Sequence, residues 1–135
     1  MTEEESYQER GNSLRKDNKK ILIVDDDETI LHLLRKFFFE RGFHVLTARD
    51  GFVAMERLKA ENPDLVLTDL NMRRLSGGDL IKRIRQRTKD ISIFIMTAYP
   101  YLYPEKHSED EVQHYFVKPF DINELFCSIQ KTLGG

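Results

Sequence analysis

At 135 residues the chain is long enough for one domain with a real hydrophobic core. A net charge of −2 leaves no electrostatic footprint for DNA or RNA, and none for an anionic membrane surface. No apolar run is long enough to span a bilayer and no signal-peptide pattern opens the chain, so a cytoplasmic protein without membrane contact is expected.

Residues 1–19 are polar, acidic first (Glu3, Glu4, Glu5) and basic later (Arg15, Lys16, Lys19). They carry too little apolar surface to fold alone, which predicts a flexible arm. Ile21, Leu22, Ile23 and Val24 then form a continuous apolar run without polar alternation, the pattern of a strand covered on both faces. It ends abruptly in Asp25, Asp26 and Asp27. Two carboxylates about 4 Å apart repel by roughly 4 kcal/mol at an effective dielectric near 20. Such a cluster needs an offsetting cation, a proton on one member, or intervening water. Alternatively, Asp27 caps the next helix while the other two are solvated.

Glu28 and Thr29 open a helix whose apolar stripe is Ile30, Leu33, Leu34, Phe37 and Phe38, with Gly42 ending it. These aromatics read as core. Phe43 to Thr47 is a short second strand. Asp50 and Gly51 turn into a helix with Ala54, Met55 and Leu58 inward, closed by Asn62 and Pro63. Leu65 to Thr68 is a second fully apolar strand, and it too ends in a carboxylate, Asp69. The loop from Leu70 to Gly78 holds Gly77 and Gly78, which permit an unusual backbone path. A helix follows with Leu80, Ile81 and Ile84 inward and Lys82, Arg83, Arg85 and Arg87 outward.

Ile91 to Met96 reads as the fourth strand, ending in Thr97 and Ala98. Tyr99 to His114 lacks a clear helical pattern, so any fourth helix is short or displaced. Tyr115, Phe116 and Val117 form a fifth strand that ends in Lys118 and Pro119. Asp121 with Glu124 caps a last helix with the stripe Ile122, Leu125, Phe126, Ile129 and Leu133. The single Cys127, which excludes an internal disulfide, is expected in the core of that helix. His32, His44, His107 and His114 show no metal-ligand spacing and are expected at the surface or satisfied.

Five strands alternating with about five helices predict a doubly wound α/β sheet, whose ligands bind outside the carboxyl ends of the strands. That edge collects Asp25, Asp26, Asp69, Thr97 and Lys118. Three acids, a hydroxyl and an ammonium suit a hard cation together with a phosphoryl group.

The segments ILIVDDD, LVLTDLNM followed by SGGDL, IFIMTA, and YFVKPF stand in one order and spacing. Together they resemble the receiver domain of bacterial two-component response regulators, from about Lys20 to Leu133. The resemblance implies a flavodoxin-like, five-stranded parallel sheet of order 2-1-3-4-5 with helices on both faces. It implies that Asp69 is a phosphoacceptor, attacking a phosphohistidine of a histidine kinase or phosphotransfer protein. It further implies Mg²⁺ (or Mn²⁺) held by Asp26, Asp69 and the backbone carbonyl of Asn71, with Asp25 acting largely through water. Lys118 would pair with Asp69 and later with the phosphoryl group, Thr97 would donate its hydroxyl to that group, and Tyr115 would turn inward as an aromatic switch. Such a domain catalyses only its own phosphorylation and dephosphorylation, and so switches a partner-binding surface. The Lys118–Pro119 bond is expected to be cis on the same basis.

Two departures stand out. Arg73 and Arg74 stand where the family commonly has Pro after Met72, which leaves the loop less constrained and offers two cations to attract a partner or the phosphoryl group. The Tyr99–His114 segment also lacks the small pair that usually precedes the aromatic. Two rival functions are therefore carried. Asp25, Asp27 and Thr29 also spell the DxDxT pattern of haloacid dehalogenase-like phosphatases, with Asp25 as nucleophile and Asp27 as general acid. A receiver fold used as a phosphorylation-independent adaptor is the other.

Overall fold

The computed structural model describes residues 18–99 and 111–134. Five strands run in chain order: β1 (Lys20–Val24), β2 (His44–Ala48), β3 (Leu65–Asp69), β4 (Ser92–Thr97) and β5 (His114–Val117). Between and after them lie α1 (Glu28–Glu40), α2 (Gly51–Glu61), α3 (Gly77–Arg87) and α4 (Ile122–Thr132). All four strand pairings are parallel and the sheet order is β2-β1-β3-β4-β5. The expected doubly wound sheet is therefore present. The predicted arm and most of the Tyr99–His114 segment lie outside the described residues.

Parallel pairing explains the unbroken apolar runs. Successive side chains of a strand point to opposite faces, and here both faces are covered. Ile21 and Ile23 of β1 join a core built with Leu34 and Phe38 of α1 and Leu125 and Ile129 of α4. Leu22 and Val24 join the other core, with Ala54 and Leu58 of α2 and Leu80, Ile81 and Ile84 of α3. The aromatics of α1 are core residues as expected: Phe38 is fully buried, and its ring meets Phe43 edge-on at 5.6 Å.

Several local expectations are corrected. Leu33 is 59% exposed, because α1 turns Leu31, Leu34 and Phe38 inward and the buried stripe is narrower than the apolar pattern. Cys127 is exposed, just off the buried stripe of α4. His44 is buried, and its Nε2 has no hydrogen-bond partner among the described residues. Arg85 turns back from the α3 surface to donate to the Glu111 carbonyl, at 3.0 Å from Nε and 2.8 Å from Nη2.

Gly77 and Gly78 are the first residues of α3, behind the N-cap Ser76, and not part of the loop. Gly77 is required by proximity: a Cβ there would lie 2.2 Å from the Asp69 carbonyl oxygen. The Lys118–Pro119 bond is cis, as expected.

Candidate functional site

The sheet order changes direction at β1 and β3, which lie side by side but continue to opposite sides of the sheet. A crevice outside their carboxyl ends follows from that topology. The backbone N–H of Asp25, directly after β1, donates to the Ala48 carbonyl at 3.1 Å, which extends the strand register by one residue. Asp25 is thereby fully buried while Asp26 is exposed. Asp27 is the N-cap of α1, accepting from the N–H groups of Thr29 at 2.9 Å and Ile30 at 3.4 Å.

Asp69 ends β3 in a buried position. Its Oδ1 accepts from the Asn71 N–H at 3.1 Å, and its Oδ2 lies 3.1 Å from Lys118 Nζ. The same ammonium lies 2.7 Å from Asp25 Oδ2, so Lys118 bridges the ends of β1 and β3. Its backbone N–H donates to the Thr97 carbonyl at 2.8 Å, tying the end of β5 to the end of β4. Thr97 is buried, and its Oγ1 accepts from the Tyr99 N–H at 3.1 Å.

Burial raises the Asp25 pKa above the usual carboxylate range, against the hydrogen bonds from Lys118 and the Asp27 amide. For Lys118, burial acts downward, but the hydrogen bonds and charges of Asp25 and then Asp69 outweigh it and raise the pKa. The ammonium is therefore firmly charged near neutrality.

One carboxylate oxygen each from Asp25, Asp26 and Asp69 lie within 4.8 Å of one another. Three acids against one ammonium form a hard, oxygen-rich and under-neutralised donor set, which fits Mg²⁺ or a similar divalent cation. The pocket over them, about 490 Å³, is also lined by Asn71, Arg73, Tyr99 and Lys118.

Asp25, Asp26, Asp69, Thr97 and Lys118, expected together at this edge, all lie there. Asp25 also pairs directly with Lys118, a contact not expected from the sequence, and Asp26 is the acid open to solvent. Tyr115 is 47% exposed on β5, outside the acidic pocket. Gly77, expected to serve the path of the loop, instead lets α3 approach the Asp69 backbone. The only available signal was the glycine pair beside a short loop.

This arrangement of sheet and acidic crevice is that of a response regulator receiver. The chain belongs to that family: residues 21–130 match the model of the response regulator receiver domain. Among individual relatives, it is 37% identical over 117 residues to sporulation initiation phosphotransferase F of Bacillus subtilis (strain 168), covering 86% of this chain and 94% of that protein. It is 33% identical to the alkaline phosphatase synthesis transcriptional regulatory protein PhoP of the same organism, of which it spans 49%.

Among solved structures, the response regulator TrrA of Thermotoga maritima in complex with Mg²⁺–BeF is 35% identical with a TM-score of 0.75. That match covers 84% of this chain and 97% of TrrA. TrrA is also known in complex with the histidine kinase ThkA, where the TM-score is 0.73. Family membership makes this a signalling domain and removes the basis for the haloacid dehalogenase-like reading, whose general acid, Asp27, here caps α1. Among the described residues no helix is long and apolar enough to cross a membrane.

Proposed function

We propose that Asp69 accepts a phosphoryl group from a phosphohistidine of a histidine kinase or phosphotransfer protein, and that this switches a partner-binding surface. The observation that carries the reading is Lys118 held between Asp25 and Asp69, inside a cluster of three carboxylates at the switch point of the sheet. A carboxylate oxygen of Asp69 attacks phosphorus, the P–N bond breaks, and the imidazole leaves with the electron pair. Lys118 balances charge throughout, exchanging the Asp69 oxygen for a phosphoryl oxygen. Asp25 keeps the ammonium in place during that exchange.

Asp26, Asp69 and the Asn71 backbone carbonyl would hold Mg²⁺ (or Mn²⁺), with Asp25 beside them. The bound ion supplies neutralisation of oxygen charge as the phosphoryl group transfers. Thr97 then releases the Tyr99 amide and donates its hydroxyl to the phosphoryl group, drawing the end of β4 inward, and Tyr115 turns inward with it. A local charge event thus biases a two-state loop. The occurrence of TrrA with Mg²⁺–BeF and with a histidine kinase supports the choice of ion and partner.

Intact-mass measurement after incubation with acetyl phosphate and Mg²⁺ tests this reading. One added phosphoryl group is expected, absent in Asp69→Asn and absent without the metal. No adduct on the folded wild-type chain would favour the phosphorylation-independent adaptor.

A further inference from the structure

Arg73 and Arg74 are adjacent in the chain but serve different surfaces. Arg74 takes a left-handed φ of 67°, and its Nη1 lies 3.0 Å from Asp50 Oδ2, whose other oxygen caps α2. Its guanidinium also sits 4.9 Å from the centre of the Phe52 ring. Next to it, Leu75 is buried against Gly51, where an added Cβ would meet the Leu75 Cβ at 2.6 Å. The far end of the β3–α3 loop is therefore fixed to the start of α2.

That anchoring holds Arg73 at the other side, where it is exposed and lines the acidic pocket with Asp25, Asp26, Asp69 and Lys118. Arg73 has no ion pair among the described residues. Four carboxylates line the pocket against the ammonium of Lys118. With a divalent ion bound, these formal charges would leave one net negative charge in the pocket that an incoming phosphoryl donor must enter. Arg73 cancels it.

We infer that Arg73 is a specificity-determining residue that steers doubly anionic phosphodonors to Asp69, and that it does so at some expense in divalent-cation affinity. The inference rests on the proposed function of Asp69. An exposed cation acts on a dianion through solvent, so its effect is modest and screened by salt. It also repels a metal ion approaching the same pocket.

The test compares acetyl phosphate with phosphoramidate, which carries less negative charge, by intact-mass time courses with Mg²⁺ at low and high ionic strength. Arg73→Ala is expected to slow the acetyl phosphate reaction by about two- to fivefold at low salt. Phosphoramidate should be affected less, and the difference should fade at about 1 M salt, where the screening length is about 3 Å. Arg73→Glu should exaggerate the discrimination and Arg73→Lys should preserve wild-type behaviour. Mg²⁺ affinity, read by NMR titration, should be tighter in Arg73→Ala.

Equal slowing with both donors, insensitivity to salt, or Mg²⁺ binding that is unchanged or weakened in Arg73→Ala would overturn the inference. If the wild type takes a phosphoryl group from neither donor, the function proposed for Asp69 fails first, and this inference with it.

Discussion

Lys118 and His44 are two largely enclosed bases treated in opposite ways. Lys118 has two carboxylates within hydrogen-bond distance and stays charged. His44 opens β2 beside Lys20 of β1, and burial first, then the Lys20 charge, lower its pKa, with Glu61 opposing. An unfolded imidazole titrates near 6.5, so as pH falls through that value the unfolded chain takes the proton before the folded one. Stability attributable to neutral His44 is complete above about pH 6.5 and is lost as pH falls toward the depressed folded value. The urea midpoint should therefore fall between pH 7.5 and pH 5.5, and His44→Leu should fall less over the same interval. Parallel pH profiles for the two proteins would mean that the ring is solvated when protonated.

At the scale of elements, the start of α3 and the end of β3 are joined through Gly77. Its N–H donates to the Leu70 carbonyl at 3.1 Å, and a Cβ would meet the Asp69 oxygen at 2.2 Å and the Leu70 Cα at 2.6 Å. Those are backbone atoms, so a methyl group there must push the loop after Asp69 away from α3. Gly77→Ala should cost about 2 kcal/mol in chemical denaturation, as overpacking typically does, and should slow acceptance at Asp69. Gly78→Ala is the control, since the nearest atom to its Cβ is 3.9 Å away. It should be neutral or stabilise the helix by at most about 1 kcal/mol. Equal losses in both variants would refute the close-approach argument.

The same contrast explains what the sequence could reveal. β1, β3 and β4 were legible because burial on both faces leaves an unbroken apolar run, and Asp27 and Asp121 were legible as caps from their place before a helix. The fit of Gly77 against Asp69 and the turn of Arg74 toward Asp50 depend on how separate elements approach one another, and no local pattern records that. Asp25, Asp26 and Asp69 could be assigned to one edge because each follows a buried strand. Which of them faces Lys118 depends on side-chain direction just beyond the strand end, where the alternation of a regular strand no longer decides.

On the scale of the whole molecule, the two cores supply the cohesion and the carboxyl edge works against it. Asp25, Asp26 and Asp69 are held close by strand ends that the cores fix in place, with one ammonium between them. Lys118 offsets part of their mutual repulsion, and a divalent cation would offset more. A divalent ion that binds only the folded arrangement stabilises it by mass action, about 1.4 kcal/mol at ten times its Kd, which is a rise of a few degrees in Tm for a domain of this size. Wild-type Tm should therefore rise with Mg²⁺ and return to its starting value on chelation. Asp26→Asn separates the two effects, because Asp26 is the exposed acid and its loss should leave both cores untouched. Without metal, this variant should be at least as stable as wild type, since one repelling charge is gone. With Mg²⁺, it should show little of the wild-type rise. An equal Mg²⁺-dependent rise in Asp26→Asn would place the ion elsewhere, and a lower metal-free Tm would show that Asp26 contributes to the fold in its own right.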